Sequence, residues 1–155
     1  MEEENYVKIL FQFYSDVLEE ETVETVWATV IDKEKGLYKL DNIPFYAPNV
    51  AADDIVYAEF DDYHERLTYR HIFEPSGNST VQVILFDDNS PINEVRALFD
   101  VLGCTSEKAN DSYFVMDVPF NLDYSIIQHK LKELEDSGVL GYAEPCLSEN
   151  HNYNE

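Results

Sequence analysis

The carboxylates are the side chains in this sequence best placed to do chemistry. Three adjacent pairs, Asp53-Asp54, Asp61-Asp62 and Asp87-Asp88, stand at the ends of apolar runs or in turns, where their oxygens could hold a divalent ion. The alternating ligands and closing Glu of a helix-loop-helix calcium loop are missing, so no metal site is expected. His64, His71, His129 and His151 each lack a second His or Cys at metal-ligand spacing. The stretch "SGNST", residues 76–80, has neither the Lys nor the preceding strand of a phosphate-cradling loop, and no GxSxG nucleophile turn occurs. No catalytic residue and no cofactor can be assigned on these grounds, and the expectation is a protein that is not an enzyme.

Binding chemistry is better represented. In "LDNIPFYAPNVAADDIV", residues 40–56, Phe45 and Tyr46 stand between Pro44 and Pro48, ahead of Asp53 and Asp54. An aromatic anchor with an acidic rim is the arrangement expected of a hot spot that meets a basic partner. The contact set expected on this basis is Phe45, Tyr46, Asp53, Asp54, Asp61, Asp62 and Tyr63. The bland reading of the same loop is a corner in which Ile43, Phe45 and Val50 plug the end of a sheet and Tyr46, Asp53 and Asp54 stay at the surface.

The formal charge of -22, from 32 Asp and Glu against 10 Lys and Arg, sharpens the choice of partner. Solubility alone is served by a magnitude of about 2 to 8 in a small domain, and the excess costs self-repulsion. Nucleic acid and anionic membrane are excluded as partners, because phosphate recognition needs clustered cations. A basic protein is favoured. With 45% hydrophobic and 14% aromatic residues the chain is too apolar for an acidic disordered tail and should fold. "MEEENYVKIL" has no basic region and no apolar core of a signal peptide, and no run approaches a membrane span, which points to the cytoplasm.

The elements that must position these residues are of two kinds. In the first half, "YVKILFQFY" alternates Val7, Ile9, Phe11 and Phe13, and "TVETVWATVID" alternates Val23, Thr25, Trp27, Thr29 and Ile31. Each set is expected to line a buried face. "DKEKG" and "DYHE" are hairpin turns, so five short strands make a small antiparallel sheet or open barrel over residues 1–76. In the second half, Thr80–Phe86 is an apolar strand, and Ser90-Pro91 caps a helix carrying Ile92, Val95, Leu98, Phe99 and Leu102. A short strand from Cys104 to Lys108 and another over "YFVMDV", residues 113–118, follow. A second helix bears Tyr124, Ile127, Leu131 and Leu134, and "VLGYAEPC" is the last strand.

That order is βαββαβ, a ferredoxin-like lobe over residues 77–147, so the fold class is α+β. The polar residues 148–155 are expected to be a disordered tail. Cys104 and Cys146 fall on opposite sheet edges, three strand spacings of about 4.8 Å apart, too far to bridge.

Four segments, "LDNIPFYAPNVAADDIV", "SGNSTVQVILFD", "LGCTSE" and "YAEPCLS", in this order and spacing, resemble a bacterial family known as domain of unknown function 4265. The resemblance runs from about Val7 to Leu147. It implies a bacterial cytoplasmic protein and brings no activity or site residue with it. Composition and resemblance together lead to a non-enzymatic acidic protein-binding module, in its sharpest form an immunity or antitoxin-type inhibitor of a basic toxin such as a nuclease. The alternative is a small-molecule sensor or enzyme with a pocket between the two lobes. A homodimer through the sheet face bearing Tyr113 and Val115 is compatible with either.

Overall fold

A computed structural model of the chain describes residues 5–86 and 91–151. It is α+β, mostly sheet with two helices, and divides into two compact units, Met1–Ser76 and Gly77–Glu155. The Asp87-Asp88 pair and Ser90 lie outside the described residues.

The first unit is a closed barrel of β1 (Tyr6–Ser15), β2 (Glu20–Asp32), β3 (Leu37–Leu40), β4 (Ile55–Asp61) and β5 (Arg66–Glu74). Successive strands pair antiparallel, and β1 meets β5 in parallel at Leu10 and Thr68. An up-and-down run with an odd number of strands can close only in that way. The expected open barrel is thus closed. Register shifts in β2 between Val30 and Asp32, and in the β4–β5 pair, supply the bends that closure requires. Gly36 turns β2 into β3 at φ +73°, where a Cβ would come within 2.9 Å of the Ala58 carbonyl oxygen.

The inward face of β1 is the expected one, with Ile9 and Phe11 buried among Val26, Ala28, Tyr38, Leu40, Val56 and Ala58. The inward face of β2 is the opposite of the expected one. Ile9 stands across from Val26 and Val7 from Ala28, and directly opposed residues share a face. Val23, Trp27 and Ile31 therefore point outward and are exposed. A narrow barrel takes the smaller Val26 and Ala28 inside and leaves the indole out.

The second unit runs β6 (Ser79–Leu85), α1 (Ile92–Val101), β7 (Thr105–Asn110), β8 (Tyr113–Val118), α2 (Tyr124–Asp136) and β9 (Leu140–Cys146). Its sheet has the order β7-β8-β6-β9 with antiparallel neighbours. Val81, Val83, Phe114, Met116 and Val118 pack against Val95 and Phe99 of α1 and Tyr124, Ile127 and Leu131 of α2. Pro91 occupies the N-cap position of α1, with its carbonyl accepting from the N–H groups of Glu94 and Val95. Asp123 caps α2 by accepting the Ser125 N–H at 3.0 Å.

β8 is buried along its whole length, Tyr113 and Val115 included. One further expectation is corrected here: residue 148 does not begin a disordered tail. Glu149–His151 makes a 3-10 turn, and His151 is buried because both of its ring nitrogens find partners in this unit. Residues 152–155 lie outside the described residues. Both cysteines are free: Cys104 is buried just ahead of β7, and Cys146 is half-buried on β9.

Candidate functional site

The loop from Asp41 to Asp54, between β3 and β4, is closed from within by two carboxylates. Glu24, on the inward side of β2, accepts the backbone N–H groups of Phe45 at 2.6 Å, Tyr46 at 2.9 Å and Ala47 at 2.9 Å. Three successive amides turned toward one carboxylate hold this stretch over the barrel end. Phe45 and Tyr46 are half-buried, with their rings tilted at 43° and 6.5 Å apart. Ile43, Pro44, Ala47 and Val50 are buried beside them.

Asp54 is the second such group. It is only 3% exposed, and its carboxylate accepts from the Ala51 N–H at 2.9 Å and the Ser76 N–H at 2.8 Å. The Ser76 hydroxyl donates to the Ala52 carbonyl at 2.9 Å. Burial pushes the Asp54 pKa above the usual carboxylate range, against the pull of those two N–H groups. This acid was expected at the surface. It is internal because the loop has N–H groups that no strand partner satisfies. Asp53 is exposed and adopts a positive φ of 70°.

The remaining expected contacts, Asp61, Asp62 and Tyr63, lie at the other end of β4. A seven-residue strand separates the two groups, about 20 Å at 3.3 Å per residue. They do not form one patch. Asp61 accepts the N–H groups of Tyr63 at 2.8 Å and His64 at 3.3 Å, and pairs with Arg70 at 3.3 Å. The His64 N–H foremost, then the Tyr63 N–H and Arg70, hold its pKa below the usual range. Asp62 is exposed, and Tyr63 projects at 88% exposure with the His64 ring edge-on at 4.9 Å.

Sequence reasoning read both strands of the β1–β2 hairpin but did not single out its exposed surface. Its outer face carries Tyr6, Tyr14, Val23, Trp27 and Ile31, all about half exposed. Its tip carries Asp16, Glu19, Glu20 and Glu21, all exposed. The missed signal is the span from Lys8 to Lys33, which contains no Lys or Arg between its ends.

In the second unit, polar groups cluster inside. The Ser79 hydroxyl lies 2.7 Å from Nδ1 of His151, whose Nε2 lies 2.9 Å from the Pro119 carbonyl. In the neutral ring Nε2 must carry the proton, since a carbonyl only accepts, so the Ser79 O–H donates to Nδ1. That resembles an activated serine. Both residues are buried, however, and Ser79 also accepts the Ser148 N–H at 2.8 Å, so the pair clips the chain end to β6. Asn78 of "SGNST" accepts the Phe120 N–H at 2.8 Å, a structural role in place of a phosphate cradle. Tyr124 is fully buried and donates its phenol proton to Glu144; burial first and Glu144 second push its pKa up. Cys104 is pushed up to about 12, chiefly by burial, which keeps it a thiol. A shallow groove of about 370 Å³ beside α1 and β7 contains Arg96, but its guanidinium already bonds Ser106 at 2.8 and 3.1 Å and Asn93 at 3.2 Å. Among the described residues no group of His, Cys, Asp and Glu is arranged to hold a metal, and no helix is long and apolar enough to cross a membrane.

A five-stranded barrel followed in the same chain by a four-stranded sheet with two helices defines a class of small two-unit α+β proteins. Within it, the chain belongs to the family described as domain of unknown function (DUF4265), whose model matches residues 24–142. It is similar to a hypothetical protein from Neisseria gonorrhoeae known from a crystal structure, at 25% identity and a TM-score of 0.77, over 92% of this chain and 96% of that one. No curated protein matches it.

Proposed function

We propose that this is a non-enzymatic protein-binding module that uses its acidic surface against a basic protein, in its sharpest form an inhibitor of a basic toxin such as a nuclease, acting in the cytoplasm. One observation carries the reading: the charge excess is left on the surface. Ion pairs among the described residues use Arg70, Lys108, Lys130 and Lys132 on the cationic side, and Asp16, Glu19, Glu20, Glu21 and Asp62 are exposed and take no part in them. Surface charge of one sign accelerates encounter with the opposite sign, with steered on-rates up to about 10⁸ to 10⁹ M⁻¹s⁻¹ at low salt. The order β7-β8-β6-β9 with two crossing helices supports reading the second unit as ferredoxin-like.

The test is capture from source lysate at low and high salt, then kinetics with the purified captured protein. A basic protein whose on-rate falls steeply with ionic strength is expected. Retention of no basic protein at low salt, or an on-rate indifferent to salt, would overturn the reading.

A further inference from the structure

We infer that the docking surface for that basic partner is the outer face of the β1–β2 hairpin, and that the partner presents apolar side chains beside cationic ones. The inference rests on the acidic-module reading and adds the place and the chemistry.

The apolar part comes first. Tyr14 is 53% exposed, Val23 56%, Trp27 46% and Ile31 50%, on strands whose inner face is already the barrel core. The register puts Tyr14 opposite Glu21, Gln12 opposite Val23 and Lys8 opposite Trp27, so all of them share one outward surface. Tyr14 and Val23 are diagonal neighbours within side-chain reach. Adjacent apolar residues with a polar border, as Tyr14 and Val23 are, mark interaction surfaces, whereas scattered single ones do not; Trp27 and Ile31 lie beyond Thr25 and Thr29 on the same strand.

At the tip the border is one-signed. Asp16, Glu19, Glu20 and Glu21 surround the tip, and the nearest cation along the hairpin is Lys8, which sits 5.0 Å from the centre of the Trp27 ring. Charge therefore runs from acidic at the tip to cationic at the base, which orients a partner with its Lys and Arg toward the tip. The net charge of -22 opposes a second copy of this chain, and the acidic tip opposes an anionic membrane.

The surface is also preformed. The Ser15 hydroxyl accepts the Leu18 N–H at 3.1 Å and the Ser15 carbonyl accepts the Glu19 N–H at 2.7 Å, which fixes the turn. Pairing of β2 with β3 begins only at Ala28, so among the described residues Glu20–Val23 pair with β1 alone. A two-stranded arm with a fixed turn loses little freedom on binding.

Trp27 is the sole tryptophan of the chain and lies on this face, so its emission reports occupancy. The full chain is titrated with two synthetic twelve-residue peptides of equal charge, one alternating Lys and Leu, the other Lys and Ser. The Lys-Leu peptide is expected to bind about tenfold more tightly and to shift Trp27 emission to the blue; a double variant Tyr14→Ser, Val23→Ser, checked for folding by circular dichroism, should erase the difference. Glu19→Lys with Glu20→Lys should weaken both peptides. Equal affinity for the two peptides, binding without an emission change, or a difference that survives the double variant overturns this inference and leaves the acidic-module reading standing. Failure of both peptides to bind at low salt overturns both. Emission that depends on protein concentration without peptide would show the face covered by a second copy, and overturns it too.

Discussion

The loop from Asp41 to Asp54 and the hairpin from Tyr14 to Val23 are made of the same kinds of residue, aromatics beside acids, and use them in opposite ways. In the loop the backbone leaves its ladder, and N–H groups of Phe45, Tyr46, Ala47 and Ala51 need acceptors; Glu24 and Asp54 supply them. In the hairpin, ten residue pairs from Tyr6↔Thr29 to Ser15↔Glu20 form one uninterrupted register. Carboxylates on that ladder are not needed by it and stay in water. Whether an acid serves folding or recognition is decided by whether the nearby backbone is already paired.

The comparison would break first at Glu24. Replacing it by Ala strands three N–H groups at the barrel end, and a loss of about 3 kcal/mol in urea unfolding is expected, with Glu24→Gln in between. A loss under about 1 kcal/mol would mean that the loop is held by other contacts.

Asp54→Asn should cost about 2 kcal/mol at neutral pH, because its amide nitrogen must face an N–H group. The pH dependence has a definite sign. The folded-state pKa of Asp54 is raised, so between the unfolded and folded values the native state holds a proton that the unfolded chain has released, and stability falls as pH rises through that window. The stability gap between the unaltered protein and Asp54→Asn should therefore widen on acidification from pH 7 toward 4. A narrowing gap would show that the N–H groups of Ser76 and Ala51 outweigh burial.

The Tyr14→Ser, Val23→Ser double variant sharpens the other half. Stability should change by no more than about 1 kcal/mol, while discrimination between the two peptides is lost. Smallest of all, Tyr63→Ala should leave stability within about 0.5 kcal/mol, since the ring is almost wholly in water. A larger loss on thermal unfolding would assign the β4–β5 turn a structural part.

Strand placement was legible because alternation marks it, as in Val7, Ile9, Phe11 and Phe13. The face of β2 was not. Both alternating sets of "TVETVWATVID" are half apolar, and the one that holds Glu24 reads as the wet side until three loop amides are seen to absorb its charge. The same gap explains Asp54, whose burial depends on Ser76, twenty-two residues away. His151 was unreadable for a similar reason: its partners, Ser79 and Pro119, are distant in the chain. Spacing shows periodic contacts and is silent about a carboxylate or imidazole matched to remote backbone.

The parallel meeting of Leu10 with Thr68 bears on the order of folding. It joins the two ends of the first unit, so the ring cannot shut until nearly every residue of that unit has been synthesised, whereas the β1–β2 hairpin needs only its own turn. Closure is therefore expected late, with substitutions at Thr68 speeding unfolding and those at Val26 slowing refolding in stopped-flow measurements. A nascent chain would hold its acidic arm out before it had a barrel to carry it.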